Sequence, residues 1–148
     1  MKRMGVWIDH RQARVFDISG KKALKATETA RLESGAEEVP RSTTGHVANM
    51  PAHGVGGSGE SARRHAEHRR EHALAEYYKR VSDAFSDADL IVIMGPGHAR
   101  QELASTLDVD RRFQGRPRFV YSADTHMTDA QIAARIAELA GDHGVANA

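Results

Sequence analysis

Residues 61–72 read SARRHAEHRREH and hold four arginines, three histidines and two glutamates. Arg63, Arg64, Arg69 and Arg70 are the type that neutralises phosphates, giving salt-dependent contact with RNA. They alternate with Glu67 and Glu71, which is equally the pattern of an exposed helix with i,i+4 ion pairs. No tyrosine or tryptophan interleaves before Tyr77, so no base-stacking platform is expected. His65, His68 and His72 fall at i, i+3 and i+7 on one helical face. At least the first pair has a spacing that permits zinc, and polar stem residues are the plainer explanation. HAEH is not the HExxH pattern of a metalloprotease. Directly upstream, HGVGGSGE places Gly54, Gly56, Gly57 and Gly59 ahead of this basic stem. Alone they read as a flexible linker; joined to the stem they also read as a tip.

Two carboxylates stand at expected strand ends, Asp9 after the first strand and Asp124 after the last. Such a pair could share magnesium ions for phosphodiester cleavage, provided further carboxylates converged there. Asp9-His10 is also a turn, with aspartate in a favoured role. Gly95-Pro96-Gly97-His98 joins a strand to a helix, where backbone N–H groups can hold an anion. It lacks the P-loop lysine and the GxGxxG spacing. No Ser-His-Asp set follows from spacing, and neither a resident metal nor a cofactor is expected.

These groups need elements to position them. GVWID and ARVFDI predict a hairpin over residues 5–8 and 13–18, and residues 24–32 alternate as a third strand. From 34 to 61 periodicity disappears across six glycines and two prolines. Such a segment gains too little burial to offset its ordering entropy, which predicts a long flexible Gly-rich loop. A helix follows in two halves. Leu74, Tyr77, Tyr78, Val81, Ala84 and Phe85 line a core face, whereas 62–72 offers only Ala62 and Ala66 and should stand clear of the body. DLIVIMG reads as a strand buried on both sides of a parallel sheet. A helix with Leu103 and Leu107 inward, the strand RFVYSA, and a helix opened by a Thr128–Gln131 capping box complete the chain. Ile132, Ile136 and Leu139 face inward there, and Gly141 is its expected C-terminal cap. The order β-β-β-α-β-α-β-α predicts an α/β fold with a mixed five-stranded sheet flanked by helices.

At 148 residues the chain suits one domain, residues 1–148. It has no cysteine, in keeping with a reducing, cytoplasmic setting. The opening MKRMGVWIDH reaches a charge too soon for a signal peptide, and no apolar run suits a membrane span. The net charge of +1 is unevenly spread: residues 1–80 carry +5 and residues 81–148 carry −4. That points to one anionic partner surface rather than general stickiness. Oligomeric state is not legible.

The segment HGVGGSGESARRHAEHRREHALAEYYKRV, from residue 53 to 81, resembles the middle domain of eukaryotic and archaeal class-1 peptide-chain release factors. That domain carries a Gly-Gly-Gln tip on a long arginine-rich helix. VWIDHRQARVF and LIVIMGPGHARQEL resemble small bacterial proteins related to it and to Pelota. The resemblance implies the ribonuclease-H-like fold of translational machinery components, and ribosomal RNA and peptidyl-tRNA as partners. Gly56 and Gly57 match the tip glycines, and Ser58 stands where the glutamine would be. Paired glycines let backbone approach an ester and expose an N–H to developing negative charge. Serine is shorter and lacks the amide that helps position water. The resemblance therefore implies a ribosome-associated factor with a Gly-Gly-Ser tip that hydrolyses the peptidyl-tRNA ester in rescue or release. A non-catalytic ribosome- or RNA-binding module is the alternative, and a metal-dependent nuclease using Asp9 and Asp124 the third. Stop-codon decoding is not implied, because the codon-reading domain has no counterpart.

Overall fold

The computed structural model describes residues 1–36 and 56–144, without the side chains of 56–60 and 144. Most of the glycine-rich segment, residues 37–55, lies outside them. The strands are β1 (Arg3–Ile8), β2 (Gln12–Ser19), β3 (Lys25–Glu33), β4 (Leu90–Gly95) and β5 (Arg118–Ser122). The helices are α1 (Gly56–Ala84), α2 (Ala99–Asp108) and α3 (Asp129–Gly144). The expected mixed five-stranded sheet is present, in the order β3-β2-β1-β4-β5. β1, β2 and β3 pair antiparallel, whereas β4 joins β1 and β5 joins β4 in parallel.

Alternation sorts side chains onto two faces. Met4, Val6, Ile8, Ile91 and Ile93 pack with Leu74, Tyr77, Val81 and Phe85 of α1 and Leu103 and Leu107 of α2. Trp7, Phe16, Ile18, Val92 and Met94 pack with Ile132, Ile136 and Leu139 of α3 on the other face. β4 is buried at all six positions, the covering its uninterrupted apolar run requires. β3 carries a bulge: Val15 faces Ala30 and Phe16 faces Glu28, leaving Thr29 as the extra residue. Thr29 spends its hydroxyl on the Val15 carbonyl at 3.3 Å.

Three boundaries differ from the sequence expectation. α1 begins at Gly56, inside the glycine cluster, rather than near Ala62. Once residues 74–85 dock on the sheet, each added residue brings one hydrogen bond without the cost of a nucleus. Alanine, glutamate and arginine in 62–73 propagate the helix well. Ser34, expected to open the loop, is buried and tied down. Its N–H donates to the Arg11 carbonyl at 2.8 Å and its hydroxyl to the His10 carbonyl at 2.6 Å. α3 runs through Gly141 to Gly144, so Gly141 is not its cap. His143 holds that last turn down, stacked on Phe119 at 3.6 Å between ring centres and hydrogen-bonded to the Tyr121 hydroxyl. The N-terminal box is as expected, with Gln131 and Thr128 exchanging bonds of 2.9 and 3.2 Å.

Candidate RNA-facing helix and its root

The 29 residues of α1 divide at Leu74. From Ser61 to His72 no residue is buried, and only Ala66 and Arg70 are half-buried. From Leu74 onward the inward stripe is enclosed: Tyr77, Val81 and Phe85 are fully buried. The half ahead of Leu74 accounts for roughly 27 Å of helix at 1.5 Å per residue. It bears Arg63, Arg64 and Arg69 exposed and Arg70 half-buried.

At 3.6 residues per turn the four arginines do not share one side. Arg63 and Arg70 continue the line of Leu74, Tyr77 and Val81, on the side of the helix that docks farther along. Arg63 forms an i,i+4 ion pair with Glu67 at 3.3 Å, both groups half exposed, a contact of small worth in water. Arg64 and Arg69 flank His65, His68 and His72 on the opposite side. The i,i+4 pairing expected of an exposed helix is thus seen at Arg63 and Glu67, and the segment stays largely exposed.

Gly56, Gly57 and Ser58 occupy the first turn of α1. The backbone there is helical, and the first N–H groups of a helix have no partner within it. The trio and the arginines therefore belong to one helix.

A polar cluster that sequence reasoning did not assemble fixes the root of this helix. The Tyr77 hydroxyl donates to the Asp9 carbonyl at 2.9 Å. The adjacent Tyr78 hydroxyl donates to Glu102, in the first turn of α2, whose other oxygen meets His10. Burial is the main cause that pushes both phenols well above the ordinary tyrosine range; the Asp9 charge adds to it at Tyr77 and Glu102 at Tyr78. One signal was available: two tyrosines on a core-facing stripe must find partners for their hydroxyls. Which residues those would be was not legible.

The other expected sites resolve as connections. The Asp9 carboxylate accepts from the N–H groups of Arg11 and Gln12 at 2.7 and 2.8 Å, closing the β1–β2 turn. Asp124 follows β5, and β4 lies between β5 and β1, so the two carboxylates end strands two ladder spacings apart. Among the described residues, no three His, Asp or Glu side chains come together in a way that could hold a metal ion, His65, His68 and His72 included. In the Gly95–His98 turn, Arg100 bonds back to the carbonyls of Gly95 and Gly97, and Gly97 takes the left-handed φ of +66° that the turn requires. No described helix is long and apolar enough to cross a membrane.

No protein-family profile matches the chain, and no curated protein matches it by sequence. Solved structures do resemble it. The Thermoplasma acidophilum Pelota protein aligns over 99% of this chain and 33% of its own, at 14% identity and a TM-score of 0.51. Archaeoglobus fulgidus Pelota aligns over 99% of this chain and 35% of its own, at 10% identity and a TM-score of 0.53. An archaeal translation termination factor aligns over 95% of this chain and 38% of its own, with 14% identity and a TM-score of 0.49. The chain thus spans about a third of the length of the Pelota structures it resembles, and shares with that third a fold: a mixed five-stranded α/β sheet flanked by three helices.

Proposed function

We propose that this protein is a ribosome-associated factor that grips RNA with the basic half of α1 and carries Gly56-Gly57-Ser58 toward peptidyl-tRNA. One observation carries the reading: on a Pelota-like fold, a helix docked at one end leaves its arginine-rich half unburied, with paired glycines in its first turn. Arg63, Arg64, Arg69 and Arg70 neutralise rRNA or tRNA phosphates from several sides of the helix, which suits a probe entering a crevice lined by nucleic acid. At its end, Gly56 and Gly57 bring unshielded backbone N–H groups close to an ester carbonyl. Water is the nucleophile, and no metal or cofactor takes part. The ribonuclease-H-like ancestry and a cytoplasmic location belong to the same reading.

Ser58 favours a second reading. A side chain without an amide is poorly suited to position water, so the trio serves contact rather than chemistry, and the protein acts as a binding module in quality control or hibernation. Sedimentation with ribosomes at low and high salt tests the shared part: co-sedimentation at low salt that falls away at high salt is expected, and none at either salt overturns both readings. Peptide release from stalled ribosomes then separates them. Release lost in Gly57→Ala and raised in Ser58→Gln supports hydrolysis; binding without release leaves the module.

A further inference from the structure

The histidines of the basic half have no place in the reading above, and they form a surface of their own. His65, His68 and His72 lie in one stripe on the side of α1 opposite Leu74, Tyr77, Val81 and Phe85, all three exposed. None makes a hydrogen bond or ion pair among the described residues. No residue of another described element packs on this stripe. Among the described residues the charged groups beside it belong to α1 itself: Arg64 and Arg69 along its flanks, Glu71 at its edge, and Glu76 and Lys79 one and two turns beyond His72. With neutral imidazoles, residues 61–72 carry four arginines against two glutamates, a charge of +2; three imidazolium groups bring this to +5.

We propose that this outward stripe, His65, His68 and His72 between Arg64 and Arg69, is a phosphate-contacting surface for RNA that engages as the imidazoles take up protons. The inference rests on the RNA-binding reading of α1 and adds to it three contact residues and a condition. Histidine is the side chain whose ordinary titration falls between about pH 5 and 8. Each imidazolium presents two N–H donors to phosphate oxygens, where the neutral ring presents one donor and one acceptor. Spacing of i, i+3 and i+7 sets the three along the helix so that one strand of a nucleic-acid backbone meets them in succession. Protonation of all three would more than double the charge of this segment. Grip on RNA is then graded by acidity, weak contact by the arginines alone passing to firm contact by both sets.

The test is the affinity of the full chain for a fluorescently labelled single-stranded RNA oligonucleotide, at about pH 5.5 and about pH 8, across a salt series. The expected result is a Kd about tenfold or more lower at the acidic pH in about 50 mM salt. The slope of log Kd against log salt should also be steeper there by about 2, at roughly 0.7 per added phosphate contact. In H65Q/H68Q/H72Q the difference between the two pH values should disappear, while in R64Q/R69Q binding weakens at both and the difference persists. Equal wild-type affinity at both pH values overturns this inference and leaves the RNA-binding reading standing, as does a pH effect undiminished in the triple glutamine variant. Absence of RNA binding at either pH overturns the RNA-binding reading itself.

Discussion

The Tyr78 hydroxyl donates to Oε1 of Glu102 at 3.0 Å, and Oε2 of the same carboxylate lies 2.9 Å from Nε2 of His10. One side chain of α2 thereby ties α1 to the β1–β2 turn at the level where α1 leaves the sheet. The direction of the basic half is set by this contact and by the Tyr77 bond to Asp9, because a helix is stiff and its unburied part follows its docked part.

Tyr78→Phe should lower stability by about 1 kcal/mol, the worth of one hydrogen bond to a group that water can still reach. Glu102→Ala should cost about 2 kcal/mol, since it removes both contacts and a favourable charge in the first turn of α2. Urea unfolding measures both. Faster amide exchange over residues 74–78 in Glu102→Ala would report the loosened root, and unchanged exchange there would refute the anchoring role.

The two halves of α1 should respond to substitution in opposite ways. Leu74→Ala, only 5% exposed and in the core, should cost about 2–4 kcal/mol. Arg64→Ala or His68→Ala should stay within about 0.5 kcal/mol of wild type, while weakening RNA binding at low salt, His68→Ala only at acidic pH. A large thermal destabilisation by either of the latter would mean that the basic half is a packing element.

Strong alkali should unfold the protein through its root. Burial holds the Tyr77 and Tyr78 phenols above the ordinary value of 10.0, so the folded form retains protons that the unfolded chain releases. The resulting stability is fully present below pH 10 and is lost as pH rises beyond it, by up to about 1.4 kcal/mol per pH unit for each phenol. Chemical denaturation at increasing alkaline pH should show this fall, and Tyr77→Phe with Tyr78→Phe should flatten it.

Gly95→Ala should prevent or severely impair folding. An added Cβ there would overlap the carbonyl oxygen of Ile8, a backbone atom of the neighbouring strand that has no way to move aside. Expression as insoluble protein, or an unfolding free energy lowered by more than about 2 kcal/mol, is expected. A well-folded variant would show that the end of β4 stands farther from β1 than described.

Much of the architecture was legible from local spacing. The unbroken apolar run LIVIMG could only be a strand covered on both sides, and Leu74, Tyr77, Val81 and Phe85 recur at the interval of one helical face. The same rule marked residues 62–72 as a helix with nothing to bury. Boundaries were less legible where the deciding energy was not local. Glycines at 56 and 57 disfavour helix taken alone, yet α1 starts there because its far end is docked; α3 outruns Gly141 because His143 finds Phe119 and Tyr121.

Taken by itself, the chain determined the kinds of element, their order, and which half of the long helix would be apolar. These follow from periods of two and 3.6 residues, which depend on near neighbours alone. Only the tertiary structure decided the partners of the buried hydroxyls. His10 and Glu102 are 92 positions apart, and Tyr77 and Asp9 are 68. No local pattern specifies such pairs, because they exist only after the C-terminal end of β1, α1 and α2 have been brought together on one face of the sheet.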